Sequence, residues 1–286
     1  MTERPTSVVR VSAGQVEYRL ERRGDAAVIV FHGGHMRAGL ALGEEVFADL
    51  GYTVLAPSRP GYGRTPVQTG VTPSGFADVT RELCSQLGIH DVAAVVGISG
   101  GGRTAVAMAA RHPELARRLI LESAVGSLPW PDRRLRRGAR IAYNAVTEKA
   151  TWRIVRALLS VAPTTMLLTF LRSLSTEPPD VVLASLTDQD RSFLLSLFSR
   201  MRSGHGFVND LRAMPDLTAD VRQPTLIIAT RNDGAVPFAH AESLAAAIRG
   251  SELVVSDAES HVIWLSRDYP AIAERIRTFL GKSSPR

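Results

Sequence analysis

Residues 26–31 read Ala-Ala-Val-Ile-Val-Phe, apolar at every position. A strand with one face in water alternates polar and apolar side chains, whereas a run without alternation fits a strand inside a parallel sheet that helices cover on both sides. Comparable short runs recur at 53–56, 91–96, 118–122, 224–229 and 252–256. Between them, 39–50, 74–87, 104–111, 238–249 and 270–280 carry helical spacing, and 7–22 reads as an edge hairpin turning at Ala13-Gly14. Strand and helix in alternation predict an α/β fold with a mostly parallel central sheet, helices on both faces, and ligand sites on the loops beyond the strand ends.

The alternation stops after Val125. Residues 126–215 show helical periodicity only, interrupted at Pro163, Pro178-Pro179 and Gly204-His205-Gly206. The expected division is a core domain of 1–125 and 216–286 with an inserted helical cap at 126–215. A chain of 286 residues, 45% of them hydrophobic, can bury a full core. Its apolar runs fall short of the roughly 20 residues a membrane span needs, and residues 1–5 carry no apolar leader. A cytoplasmic protein without a membrane partner is expected. Cys84, the single cysteine, sits in the amphipathic stretch 76–87 and reads as a small buried hydrophobe. Residues 282–286 read as a frayed tail.

A net charge of +6 and an isoelectric point near 10.1 raise the question of nucleic acid. The basic residues are nearly all arginine, with Lys149 and Lys282 the only lysines. The cluster Arg133, Arg134, Arg136, Arg137 and Arg140 has no interleaved aromatics and no nucleic-acid motif nearby, so a solvated helix face is preferred to an anion or membrane-surface patch. No nucleic-acid partner is expected; the oligomeric state is not legible.

The chemistry concentrates after the run 91–96, where Gly97-Ile98-Ser99-Gly100-Gly101 spells G-x-S-x-G between a strand and an alanine-rich helix. So sharp a turn strains the serine backbone, and only glycine neighbours leave room for it. The hydroxyl is thereby pushed beyond the sheet, with the Gly100 amide at a helix start where it can face a developing anion. A serine hydroxyl is a poor nucleophile unaided and needs a base held by a carboxylate. Residues 230–237 supply Asp233 after one strand, and 257–261 supply His261 after the next. Glu122, which also ends a strand, is the alternative acid. His32 and His35 compete with His261, the former expected to be structural and the latter to line the pocket mouth. His90, His112, His205 and His240 are expected at the surface.

The order serine, acid, histidine, together with His32-Gly33-Gly34, Asn232-Asp233 with Val236-Pro237, and Ser260-His261, resembles the α/β-hydrolase superfamily across 7–281. The resemblance implies that Ser99 attacks, His261 shuttles the proton, Asp233 orients His261, and the amides of Gly34 and Gly100 hold the oxyanion. His35, Val236 and Val262 are expected to line the pocket. Ser260 stands where the family commonly has glycine. Neither a metal nor another cofactor is expected, because paired His or Cys ligands at short helical spacing and the phosphate-loop pattern G-x-x-x-x-G-K-[ST] are both missing. The run 161–171 reads as one apolar helix over Ser99, which favours an apolar acyl or aryl substrate. The expected reaction is hydrolysis of a carboxylic ester. Thioester, amide or C–C bond hydrolysis and low-turnover small-molecule binding remain the alternatives.

Overall fold

In a computed structural model, the described residues are 2–281 without 132, 145 and 213; the side chains of 133–135 also lie outside them. The expectations for Arg133, Arg134 and the 282–286 tail therefore fall outside the described residues. The apolar runs become β3 (Ala27–Phe31), β4 (Thr53–Pro57), β5 (Val92–Ile98), β6 (Leu119–Glu122) and β7 (Thr225–Thr230), every residue of which is buried. The hairpin supplies β1 (Ser7–Val11) and β2 (Gly14–Glu21), and β8 (Glu252–Ser256) closes the far edge. The sheet order is β1-β2-β4-β3-β5-β6-β7-β8, with β2 antiparallel to both neighbours and all other pairs parallel.

Helices α1 (Glu45–Asp49), α2 (Pro73–Gln86), α3 (Gly102–Arg111), α10 (Ala239–Ala247) and α11 (Tyr269–Gly281) connect or follow the strands. Two apolar clusters fill the space between helices and sheet, one per face. Val28, Val30 and Val96 point into the first with Phe47 and Ile276, and Ile29, Phe31 and Val95 into the second with Leu83 and Met108. Adjacent strand residues thus serve opposite layers, which is why the runs show no polar alternation. Cys84 is buried in the second cluster, and burial pushes its thiol up to about 12, well away from reactivity.

Among the described residues six α-helices run between β6 and β7: α4 (Arg133–Ala142), α5 (Glu148–Val161), α6 (Pro163–Leu174), α7 (Pro179–Ser185), α8 (Asp188–Arg200) and α9 (Gly206–Asp210). Two expectations about helices change. The apolar run 161–171 is not one helix: α5 ends at Val161, and Pro163 opens α6, as a residue without an amide hydrogen favours. The expected helix over 39–50 shortens to α1. Its first part is buried irregular chain, because Gly43 adopts φ +71° and lies so close to the Trp264 indole that a Cβ there would meet Nε1 at 2.3 Å.

Candidate active site

The parallel register brings four loops to one edge of the sheet. Phe31 pairs with Gly97, Ile98 with Glu122, Glu122 with Ile228, and Thr230 with Ser256, so the segments that follow emerge side by side. At the end of β5, Ser99 is held at φ +51°. This conformation costs a non-glycine residue energy and persists only where its surroundings enforce it. The enforcement is steric: a Cβ at Gly97 would lie 2.6 Å from the Ala105 Cβ, and one at Gly101 would lie 2.0 Å from the Phe31 carbonyl oxygen. Gly33 rests against the serine itself, where a Cβ would come within 2.9 Å of the Ser99 Cβ. The open side of Gly100 faces the Gly34 nitrogen, 3.5 Å from the position a Cβ would take. Gly34 and Gly100 are therefore neighbours in the loops around Ser99.

Asp233 and His261 meet across the ends of β7 and β8, with His261 Nδ1 2.7 Å from Asp233 Oδ2. The other oxygen of Asp233 accepts the amides of Ala235 and Val236 at 2.8 and 2.7 Å, which leaves Oδ2 for the imidazole. With Nδ1 engaged, Nε2 is the ring atom left for proton transfer. Leu174, at the end of α6, fixes both loops: its carbonyl accepts the His261 amide at 2.8 Å and the Gly234 amide at 3.2 Å. The Ser123 hydroxyl donates to the His261 carbonyl at 3.1 Å. Among the described residues no hydrogen bond joins Ser99 to His261. Both side chains border the same cavity.

Glu122 occupies different surroundings. It is fully buried in the sheet, where its Oε2 accepts the Trp264 indole N–H at 3.0 Å, and burial pushes it up to about 8. A carboxyl that stays protonated at neutral pH and faces a tryptophan is not placed to hold an imidazole. Val236, expected on the pocket wall, does not border this cavity: the turn after Asp233 directs its amide inward onto the carboxylate, while Gly234 and Ala235 reach the wall. His35 and Val262 do border it. His32 is buried, with Nε2 2.6 Å from Glu44. His240, expected at the surface, is buried because the start of α10 folds under the chain leaving β6; its Nδ1 accepts the Gly126 amide at 3.1 Å, and burial lowers it to about 4.

A brace behind Gly34 and Gly100 escapes motif reading. Arg59, buried in the loop after β4, donates from Nε to the His32 carbonyl at 2.8 Å and grips Asp210 of α9 with both terminal nitrogens, at 2.7 and 2.8 Å. The Tyr62 hydroxyl donates to the same Asp210 carboxylate at 2.7 Å. The loop that opens at His32 is thus tied through Arg59 to a carboxylate from the helices between β6 and β7. Only the turn-rich character of 57–65 hinted at this, since Arg59 and Asp210 are 151 positions apart.

The cavity above Ser99 has a volume of about 640 Å³ and is walled by core and insertion alike. Apolar side chains line most of it, aromatic ones among them. Phe207 lies 4.1 Å from His35 between ring centres, with Tyr143 at 4.8 Å and Trp152 at 5.4 Å, while Phe170 stacks on Phe198. Such a wall suits an apolar or aryl group, with a few polar atoms left to orient it. Among the described residues no three His, Cys, Asp or Glu side chains converge as a metal site requires, and no helix is long and apolar enough to cross a membrane.

This arrangement of sheet, elbow and loop-borne acid and histidine is that of a hydrolase. The chain belongs to the alpha/beta hydrolase fold family, whose pattern it matches over residues 26–267. It is 30% identical over 273 residues to the uncharacterized hydrolase YcgS of Bacillus subtilis (strain 168), covering 93% of this chain and 95% of that one. It is 29% identical to the pimeloyl-[acyl-carrier protein] methyl ester esterase of Aromatoleum aromaticum, over 80% of this chain and 90% of the esterase. An alpha/beta hydrolase fold protein from Nakamurella multipartita superposes with a TM-score of 0.80 at 25% identity, covering 96% of this chain and 99% of the other.

Proposed function

We propose that this chain is a serine hydrolase of carboxylic esters with an apolar acyl or aryl group, working through an acyl-enzyme under a helical cap formed by 126–215. Ser99 Oγ attacks the ester carbonyl as its proton passes to His261 Nε2, and Asp233 stabilises the imidazolium through Nδ1. The amides of Gly34 and Gly100 receive the tetrahedral oxyanion. His261 then protonates the departing alcohol, and water activated by the same nitrogen releases the acid. No cofactor takes part. The observation that carries this reading is the 2.7 Å Asp233–His261 contact opening on the cavity that also exposes the strained Ser99. Similarity to an ester-cleaving relative adds support.

The test is turnover of short and medium p-nitrophenyl esters by the wild type and Ser99→Ala, paired with intact mass after a serine-directed phosphonate. The reading expects one adduct on the wild type, none on Ser99→Ala, and a loss of turnover of about 10⁶-fold in the variant. Undiminished turnover by Ser99→Ala would refute it. Matched thioesters and amides in the same assay rank the bond types.

A further inference from the structure

His35 has three features that the hydrolytic steps do not use. It is held at φ +63°, a region that costs most side chains energy, although histidine enters it more readily than most. It follows Gly34 directly and borders the same cavity as Ser99. Its Nδ1 lies 2.7 Å from the Ser203 hydroxyl, on the insertion.

The hydrogen-bond inventory around Ser203 decides the tautomer. The Trp152 indole N–H can only donate, and it donates to Ser203 Oγ at 2.8 Å. Ser203 is fully buried, and its amide is occupied by Glu148 at 3.0 Å. Among the described residues its hydroxyl hydrogen has one available acceptor, His35 Nδ1. That nitrogen is therefore unprotonated, and in the neutral ring the proton sits on Nε2. Burial and the nearby Arg59 lower His35 to about 3, which keeps the ring neutral. Nε2–H has no partner among the described residues, and the walls around it are Phe207, Tyr143 and Trp152. An occupant that displaces water from this aromatic wall leaves the donor unpaired unless it supplies an acceptor itself.

We propose that His35 is a specificity-determining residue whose Nε2–H binds an oxygen acceptor carried by the acyl part of the substrate two or three bonds from the reacting carbonyl. Substrates would then be oxygenated acyl compounds, such as alkoxy or oxo acid esters, rather than plain alkanoates. The chain from Trp152 through Ser203 to His35 sets the direction of donation, and Phe207 fixes the ring plane. The term "reacting carbonyl" rests on the ester-hydrolase reading, whereas the binding preference does not.

The test uses ketones, which bind without being cleaved. Two shape-matched pairs serve: phenyl butyl ketone with phenyl 2-methoxyethyl ketone, and phenyl propyl ketone with phenyl methoxymethyl ketone. Their dissociation constants are read from quenching of Trp130, Trp152 and Trp264, the chain's three tryptophans, all on the cavity wall. The quantity of interest is the ether-to-alkyl affinity ratio, because the alkyl member reports any general damage to the cavity. In at least one pair, His35→Phe should lower that ratio about tenfold, the effect of leaving one acceptor unpaired. His35→Gln, which keeps an N–H donor, should stay within about threefold of wild type, and Ser203→Ala should fall between. Ratios within about twofold of wild type for His35→Phe in both pairs, or wild-type protein that binds neither pair, would overturn the proposal. A ratio that falls as expected in a protein that turns over no ester would leave this inference standing and remove the ester-hydrolase reading.

Discussion

Arg59 and Asp210 face each other in a two-pronged ion pair, at 2.7 and 2.8 Å, between the loop after β4 and the last turn of α9. Because Arg59 also holds the His32 carbonyl, the pair places a core loop under the control of the helical insertion.

Breaking that pair should therefore cost both stability and activity. Asp210→Asn leaves a buried guanidinium without its counter-charge, a loss of about 3 kcal/mol when one partner of a buried pair is removed. Urea unfolding should register it. Ester turnover should fall mainly in kcat, since the loop that carries Gly34 loses its anchor while the aromatic walls remain. A variant as stable as wild type would show the pair to be dispensable.

Asp233→Asn should fold normally yet lose activity. Asparagine can still accept the Ala235 and Val236 amides, but its NH₂ group turns a donor toward His261 Nδ1 and favours the wrong tautomer. The expected fall in kcat is about 10⁴-fold, with little change in the urea midpoint. Retention of more than a tenth of the activity would exclude the assigned role.

Glu122 should make the protein lose stability as pH rises. Its folded-state pKa is raised from 4.5 to about 8, so the native state keeps a proton that the unfolded chain releases. The contribution is complete below about 4.5, falls as pH climbs, and is gone once pH passes about 8, a change on the order of 5 kcal/mol. Glu122→Gln keeps an acceptor for the Trp264 indole and cannot ionise. Urea midpoints between pH 5 and 8.5 should decline less in the variant, and parallel slopes would contradict the assignment.

His240 should act in the opposite direction. Its folded-state pKa is lowered from 6.5 to about 4, first by burial and then by Arg103, so the unfolded chain binds the extra proton. Stability from this group is complete above about 6.5 and is lost as pH falls toward 4. His240→Gln retains an acceptor for the Gly126 amide, so the variant's unfolding midpoint should drop less between pH 7 and 4.5. A steeper drop would be inconsistent with a buried neutral imidazole.

The sequence exposes those parts of the fold that short-range chemistry enforces. Unalternated apolar runs mark β3 to β7, and the glycines around Ser99 mark a turn that no other residue type allows. Asp233 and His261 are legible because each follows a strand whose neighbours the topology fixes. What stays hidden depends on partners distant in the chain. The irregular stretch before α1 follows from Gly43 lying against Trp264. His240 is buried by the chain leaving β6, and Arg59 gains its role from Asp210. The tautomer of His35 depends on Ser203, which no local pattern links to it.

Leu174 carries a consequence for motion. One carbonyl at the close of α6 receives amide hydrogens from the loop of Asp233 and from His261 itself. A shift of that helix end would drag carboxylate and imidazole along as a unit, preserving their mutual bond while altering how far the ring stands from the serine. Helix α6 would thereby work as a lever on the Asp233–His261 pair, with its fulcrum at a single backbone oxygen.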